Sequence, residues 1–155
     1  MARADLRQAN DEVKAGEINV RFTMQLATSR DGQPWNCTVY FVVHAGNFYW
    51  LSFPERRHSS ELALNPRASI AVVLRSKQPV VGLQAEGDVT IVEDIVEAED
   101  VLGLYVEKYD QGTQFVSLLK AGNNKHALYR FVPRHVSLFD EHDQTMASPR
   151  EVVIT

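Results

Sequence analysis

The chain has 155 residues, of which 45% are hydrophobic and 23% charged, and a formal net charge of −4. This is the composition of an average globular domain, long enough to bury a core without disulfides or a structural metal. Its acidic balance argues against nucleic-acid binding, and it has no apolar run long enough to span a membrane. Residues 1–13 do not resemble a secretion signal, and a lone cysteine, Cys37, fits a reducing compartment. We therefore expect a cytoplasmic protein.

The first half of the chain predicts one helix and then a meander of three strands. Residues 1–16 are typical of a short amphipathic helix with Leu6 and Val13 on its buried side. Residues 20–28 then alternate apolar and polar side chains, as a half-buried strand does. Turn-forming residues at 30–34, including Asp31-Gly32, and again at 44–47 predict hairpins leading into strands 35–43 and 48–52.

The second half predicts two more helices among four more strands. A helix over 58–64 ends at Asn65-Pro66, and strands follow at 68–74 and 80–92, with Gly82 and Gly87 as bends or bulges. From Glu86 to Glu107 there are eight carboxylates and no Lys or Arg, with apolar residues on one helical face, which predicts a solvated helix packed on the sheet. The last strands, 126–132 and 136–140, are divided by Pro133.

These elements predict a single domain over residues 1–155. The N-terminal helix takes residues 1–16, the body 18–140 and a polar tail 141–155. Antiparallel strands outnumber helices and follow one another in meander order, so the fold class is mainly β. We expect a small closed or split antiparallel barrel with helices at its edges, since closure hides strand edges.

Most catalytic motifs are absent from the sequence. It has no Walker loop, dinucleotide glycine fingerprint, Gly-x-Ser-x-Gly elbow or His-Glu-x-x-His pair. Cys37 falls in a predicted strand, where a buried, inert thiol is expected more often than a nucleophile. The polar run at 140–143 is read as a tail and not as a metal site, because consecutive residues rarely point at one ion.

One cluster has the charge of a binding site. Between Arg56 and Lys77 there are five Lys or Arg residues and one acid, Glu61. The basic residues begin where a strand ends and a helix starts, and serines flank them at 52, 59 and 60. Free helix N–H groups, arginine forks and hydroxyls together suit a phosphate monoester. The alternative is that a serine caps the helix while the arginines lie in solvent.

The order of several segments resembles the pyridoxamine 5′-phosphate oxidase-like split-barrel family. The resemblance covers about residues 18–140 and is carried by four runs: Leu26–Val43, Phe48–Ser52, Arg57–Arg67 and Leu83–Gly87. Membership of this family implies a homodimer that holds FMN, or in some members a deazaflavin or haem, in a cleft between two barrels.

The resemblance also implies roles for individual residues. Ser52, Arg57 and His58 match the family's phosphate contacts. Asn36, Cys37 and Thr38, on the second strand, and Gln84, on a neighbouring strand, would lie beside the flavin ring. This chain departs from the family pattern at three positions: the second strand has no basic residue at Asn36 or Phe41, and His58 stands where many flavin binders have lysine. The sequence identifies no catalytic residue and no metal ligand.

Two functions follow as hypotheses. The first is a dimeric, FMN-dependent oxidoreductase acting on a small-molecule redox substrate, with neither nucleic acid nor membrane as partner. The second is a split-barrel ligand-binding or stress-response protein that holds haem, a deazaflavin or no cofactor. We expect Trp35, Phe48 and Trp50 to supply apolar surface for the dimer interface.

Overall fold

The computed structural model describes residues 2–4, 23–109, 125–142 and 150–154, which form nine strands and two helices. The first five strands are β1 (Ala2–Ala4), β2 (Thr23–Arg30), β3 (Gln33–Tyr40), β4 (Val42–His44) and β5 (Asn47–Ser52). They are followed by helix α1 (Arg57–Leu64), β6 (Arg67–Arg75), β7 (Val81–Ile91), helix α2 (Ile95–Tyr109), β8 (Ala127–Asp140) and β9 (Arg150–Ile154).

Two tight turns of the same kind form the predicted hairpins. Asp31 and Gly32 have φ values of 51° and 78°, and Ala45 and Gly46 have 47° and 76°. Positive φ at both central residues gives a turn whose twist matches that of the flanking strands. The hairpins β2–β3 and β4–β5 are therefore confirmed, and only Phe41 separates β3 from β4.

The strands form one sheet that is antiparallel except where β1 pairs with β9. Its order is β1-β9-β8-β7-β6-β2-β3, while β5 pairs with both β4 and β8. The long β8 pairs with β5 through its first residues and with β9 through Ser137 and Leu138. Strand β3 is at one end of this order and continues almost directly into β4. Because β4 pairs with β5 and β5 pairs with β8, the chain connects this end of the order back to β8. The predicted mainly β split barrel with flanking helices is confirmed.

The core lies on the inner face of this sheet. Met24, Leu26, Trp50, Leu83 and Phe131 are among its most deeply buried side chains. A second cluster forms where α2 covers β4 and β5, as the apolar face of the acidic segment predicts. It comprises Val42, Tyr49, Val101, Tyr105 and Leu128. Neither described helix has the length and hydropathy that crossing a membrane requires.

The structure corrects the end of the predicted barrel. Residues 127–140 are one bent strand and not two, because the pairing shifts by one residue where Gly87 faces Pro133. This bulge lets the chain pass a proline, which has no N–H to donate, without ending the strand. A Cβ on Gly87 would lie 2.2 Å from the Val132 carbonyl oxygen, so only glycine fits this crossing.

The two termini also differ from prediction. Ala2–Ala4 form a strand, where the sequence predicted part of a helix, because β9 offers them an unpaired edge. The remainder of the predicted N-terminal helix, residues 5–16, lies outside the described residues. Strand β9, in what was read as a polar tail, was not predicted.

Candidate functional site

The outer face of the sheet carries two rows of small and polar side chains. Residues paired across strands point to the same face, so the register assigns the rows. One row runs Asn36, Ala27, Ser69, Glu86, His135 and the next runs Thr38, Gln25, Ala71, Gln84, Ser137. Side chains of both rows line a groove of about 350 Å³.

Amides and small side chains shape this groove. Ala27, Ser69 and Ala71 lie in its centre, while the amides of Asn36 and Gln84 lie in strands on either side. Because the central side chains are short, the groove has a low floor with hydrogen-bonding groups to each side. Thr38 belongs to the same face, where its hydroxyl is hydrogen-bonded to the amide of Gln25 at 3.0 Å.

An imidazole lies at the β8 side of the groove. His135 contacts the Glu151 carboxylate through Nδ1 and the Ser137 hydroxyl through Nε2, each at 3.2 Å. Both ring nitrogens are therefore engaged, and the carboxylate orients the ring. Sequence reasoning missed His135, because its place in the groove depends on the pairing of β7 with β8.

Cys37 does not share this face with Asn36 and Thr38. Its side chain packs against the barrel core, since alternate residues of a strand point to opposite faces. Burial, together with the negative charge of Glu61, raises the pKa of the thiol to about 11. The thiol is thus protonated near neutral pH, and β3 brings only the backbone of Cys37 near the groove.

The junction between β5 and α1 holds a buried polar network. The Ser52 hydroxyl is hydrogen-bonded to Nε2 of His58 at 2.8 Å, and the Ser59 hydroxyl donates to that of Ser52 at 3.3 Å. All three side chains are buried. Burial, and then the nearby charge of Arg56, lower the pKa of His58, so its ring is neutral at pH 7.

Arg57 is the predicted phosphate contact that faces solvent. Its Nε donates to Oε1 of Glu61 at 2.9 Å, and its guanidinium carbon lies 4.0 Å from the centre of the Trp35 ring. Thr28 donates its hydroxyl to the other oxygen of Glu61. These hydrogen bonds from Thr28 and then Arg57 lower the pKa of Glu61 and keep it ionised. Within the described ranges, the two Nη atoms of Arg57 have no partner.

The start of α1 adds donors next to Arg57. Arg56 precedes the helix and makes no side-chain capping hydrogen bond, and the first turn contains no acidic residue. The free N–H groups of this turn carry partial positive charge, which favours an anion. The side chain of Arg56 is exposed and lies against the Phe53 ring, 5.9 Å from its centre.

The structure thus divides the predicted site residues into two groups. Ser52, Arg57 and His58 come together at the junction, and Asn36, Thr38 and Gln84 share the outer face with the groove. Cys37 belongs to neither group through its side chain. Among the described residues, no cluster of His, Cys, Asp and Glu could hold a metal ion.

Sequence reasoning missed Glu61, Thr28 and Trp35 as companions of Arg57. The i, i+4 spacing of Arg57 and Glu61 is a signal that could have shown their ion pair. Thr28 and Trp35 pair with each other across the β2–β3 hairpin, and no local pattern indicates that α1 packs on them.

Comparisons with known proteins agree with this architecture. The family model described as pyridoxamine 5′-phosphate oxidase matches residues 9–140. None of the curated proteins matches the sequence.

Among solved structures, a conserved hypothetical protein from Mycobacterium tuberculosis has a TM-score of 0.69 at 20% identity, covering 96% of this chain and 91% of that one. The haem storage protein HutZ from Vibrio cholerae has a TM-score of 0.64 at 24% identity, covering 88% and 95%. An FAD-binding protein from Mesorhizobium loti has a TM-score of 0.54 at 19% identity, covering 75% and 82%. At these identities the likeness concerns the fold.

Proposed function

Because the chain belongs to the pyridoxamine 5′-phosphate oxidase family, we propose that it binds a flavin nucleotide, FMN in the first instance, between two copies of itself. Bound there, the flavin would supply hydride or electron transfer to a small-molecule substrate. The observation that carries the proposal is the combination of a half-exposed arginine fork at the β5–α1 junction with a low-floored groove on the adjoining strands.

The phosphate would be held at the start of α1. Arg57 supplies two Nη donors, and the first turn of the helix supplies backbone N–H groups. Ser52 and His58 support this site from beneath, since their hydrogen bonds are made to each other and their side chains are buried. Their role is to fix the end of β5 against α1.

The ring would be held in the groove. Ala27, Ser69 and Ala71 leave room for a flat heterocycle, and the amides of Asn36 and Gln84 match the donor and acceptor edges of a flavin. No described side chain needs to act as acid or base in hydride transfer, so this chain's contribution is to bind the ring, orient it and limit water.

A second copy of the chain would cover the same face. Tyr40, Val73 and Phe139 are on the outer face beside the groove, and the exposed fractions of their side chains are 63%, 42% and 40%. Apolar residues grouped in this way are typical of an interface. Phe48 and Trp50, which the sequence suggested for this role, have no exposed surface and belong to the core.

The test is a spectrum and a titration. We expect the purified protein, or the protein after FMN addition, to show flavin absorbance, and light scattering to give a mass near twice 17.5 kDa. Arg57→Ala should weaken FMN binding by about 1.5–3 kcal/mol, the loss of one charge-assisted contact. Arg75→Ala, at the far end of β6, serves as the matched control. Equal FMN affinity in the two variants would overturn the phosphate assignment.

Haem is the second candidate, and His135 is the observation that favours it. Its Nδ1 contact with Glu151 is the kind of hydrogen bond that orients a metal-ligating histidine, and on haem binding Nε2 would exchange the Ser137 hydroxyl for the iron. This reading expects a Soret band on haem addition that His135→Ala abolishes and Arg57→Ala leaves unchanged. A flavin spectrum without haem binding would exclude it.

A further inference from the structure

Ser137, His135 and Glu151 form a hydrogen-bonded relay at the β8 side of the groove. Ser137 and Glu151 are partners across β8 and β9, and His135 precedes Ser137 by two residues on the same face. Nε2 of His135 lies 3.2 Å from the Ser137 hydroxyl, and Nδ1 lies 3.2 Å from a carboxylate oxygen of Glu151. His135 and Ser137 line the groove, and binding of the flavin ring uses neither of them.

The hydrogen bonds of this relay have a definite direction. A carboxylate accepts hydrogen bonds and donates none, so the ring hydrogen of His135 is on Nδ1 and points to Glu151. Nε2 is then an acceptor, and the Ser137 hydroxyl donates to it. Within the described part of the chain, no other side chain hydrogen-bonds this hydroxyl. Its oxygen can therefore accept a hydrogen bond from a ligand, and the relay is ordered to move a proton from that ligand to the imidazole.

The surroundings of His135 suit the imidazolium that forms when the ring takes up a proton. Glu151 contacts the ring directly, and Glu86 on β7 is its cross-strand partner. Two nearby carboxylates stabilise a cation. Asp88, further along β7, is paired with Arg134 at 3.0 Å. The residues that line the groove include no Lys or Arg, so no cation of the groove lining opposes the proton.

The relay lies beyond the part of the groove that would hold the flavin ring. Ala71 on β6 belongs to the floor beneath the ring, and Ser137 on β8 is two strands further along the same row. Neighbouring strands are about 4.8 Å apart, so these two residues are separated by about 10 Å. The molecule that reaches Ser137 is thus the one beside the ring, which is the substrate.

We propose that Ser137 and His135 take the hydroxyl proton of the substrate, and that the substrate is a small alcohol oxidised to a carbonyl compound. Its C–H hydrogen leaves as hydride to the flavin. Its O–H proton passes to Ser137 while Ser137 passes its own to Nε2 of His135, so the C–O bond becomes C=O and the imidazolium then releases the proton to water. The inference rests on the proposed function, since it names the substrate class of the same site. Glu151 is a positioning residue, because it acts through His135.

The probe for this relay is 4-nitrophenol, a hydroxyl compound whose phenol and phenolate forms differ in visible absorbance. It is titrated over a pH series against the full-length protein, with and without FMN. Wild type should bind it as phenolate, with the pKa of the bound probe about one unit below that of the free probe, a tenfold shift toward phenolate. His135→Gln and Ser137→Ala should each abolish this shift, and Glu151→Gln should reduce it.

His142 provides the matched control. Its Nδ1 contacts Asp140 at 3.3 Å, so it is also an imidazole oriented by a carboxylate, but it is outside the groove lining. His142→Gln should leave the pKa of the bound probe unchanged. The side chains of His135 and Glu151 are about half exposed, so their substitution should leave the fold intact.

The two forms of the protein distinguish failure of the inference from failure of the flavin proposal. If FMN does not bind but the flavin-free protein holds phenolate through His135, the relay is confirmed and the flavin proposal fails. If FMN binds and the probe binds as neutral phenol, the relay is refuted and the flavin proposal stands. Equal shifts in wild type and His135→Gln, or no binding of the probe to either form, also overturn the inference.

A pair of competitors tests the substrate class. Benzyl alcohol and benzylamine share a ring and differ in the group that would meet Ser137. The alcohol should displace bound 4-nitrophenol at a lower concentration than the amine, because its hydroxyl donates to Ser137 and carries no charge. A cationic amine would instead pair directly with Glu86. Displacement by benzylamine alone would overturn the assignment of an alcohol.

Discussion

Lys108 is buried in the last turn of α2, where its side chain is only 5% exposed. Its Nζ donates to the Phe41 carbonyl oxygen at 2.8 Å and lies 3.9 Å from the centre of the Phe41 ring. Burial lowers the pKa of this amine to about 7. Phe41 directly follows β3, so this contact anchors the strand that carries Asn36 and Thr38.

The lowered pKa makes stability depend on pH with a definite sign. In the unfolded chain a lysine has a pKa near 10.4 and is charged, whereas the folded chain favours the neutral amine. The contribution of Lys108 is therefore full above about pH 10.4 and is lost as the pH falls toward 7. Between pH 7 and 9, wild type should gain about 2 kcal/mol of unfolding free energy from this group.

Urea unfolding at pH 7, 8 and 9 measures this gain. Lys108→Met keeps an unbranched apolar stem and removes the titrating group, so the stability difference between wild type and variant should change by about 2 kcal/mol across the series. Lys77→Met removes an exposed lysine and serves as the control, with a constant difference. Parallel pH curves for wild type and Lys108→Met would refute the reasoning.

Two further predictions concern the core and the bulge. Cys37, whose pKa is raised to about 11, should react with iodoacetamide at pH 7.5 on the order of a hundredfold more slowly in the folded protein than in urea; similar rates would show an exposed thiolate. Gly87→Ala should destabilise the fold by about 1–3 kcal/mol, because its Cβ would strike the Val132 carbonyl of the paired strand. Gly103→Ala, on an open helical position, should be stabilising, and equal effects of the two substitutions would contradict the bulge geometry.

Local sequence patterns predicted the elements whose causes are local. The β2–β3 hairpin follows from Asp31-Gly32, and α1 ends where Asn65-Pro66 stops it. The break at Pro133 was predicted wrongly, since the strand continues through a bulge that depends on Gly87 in another strand. Strand β9 was missed for the same kind of reason, because its partners are β8 and β1 and no strong alternation marks it.

The sequence predicted which residues belong to the candidate site better than it predicted where their side chains point. Ser52, Arg57 and His58 were expected to point at one anion, but two of them are buried and contact each other. Which way a side chain points depends on packing between α1 and the barrel, and a single sequence does not contain this. The faces of β3 likewise depend on how the strand is paired. Asn36 and Cys37 are adjacent in sequence, but their side chains point to opposite faces of the strand.

In the electrostatics of this site, the positions of the charged residues matter more than how many basic residues the segment contains. The segment from Arg56 to Lys77 has five basic residues and one acid, which suggests a strongly cationic pocket. In the structure, Arg67 and Arg75 are at the two ends of β6, and Arg75 contacts the Gln78 carbonyl oxygen. Exposed charges are screened by salt, whereas the carboxylate of Glu61 is buried and lies 2.9 Å from Nε of Arg57. The single acid therefore governs the charge that a ligand meets at Arg57, and the excess of basic residues in the segment does not.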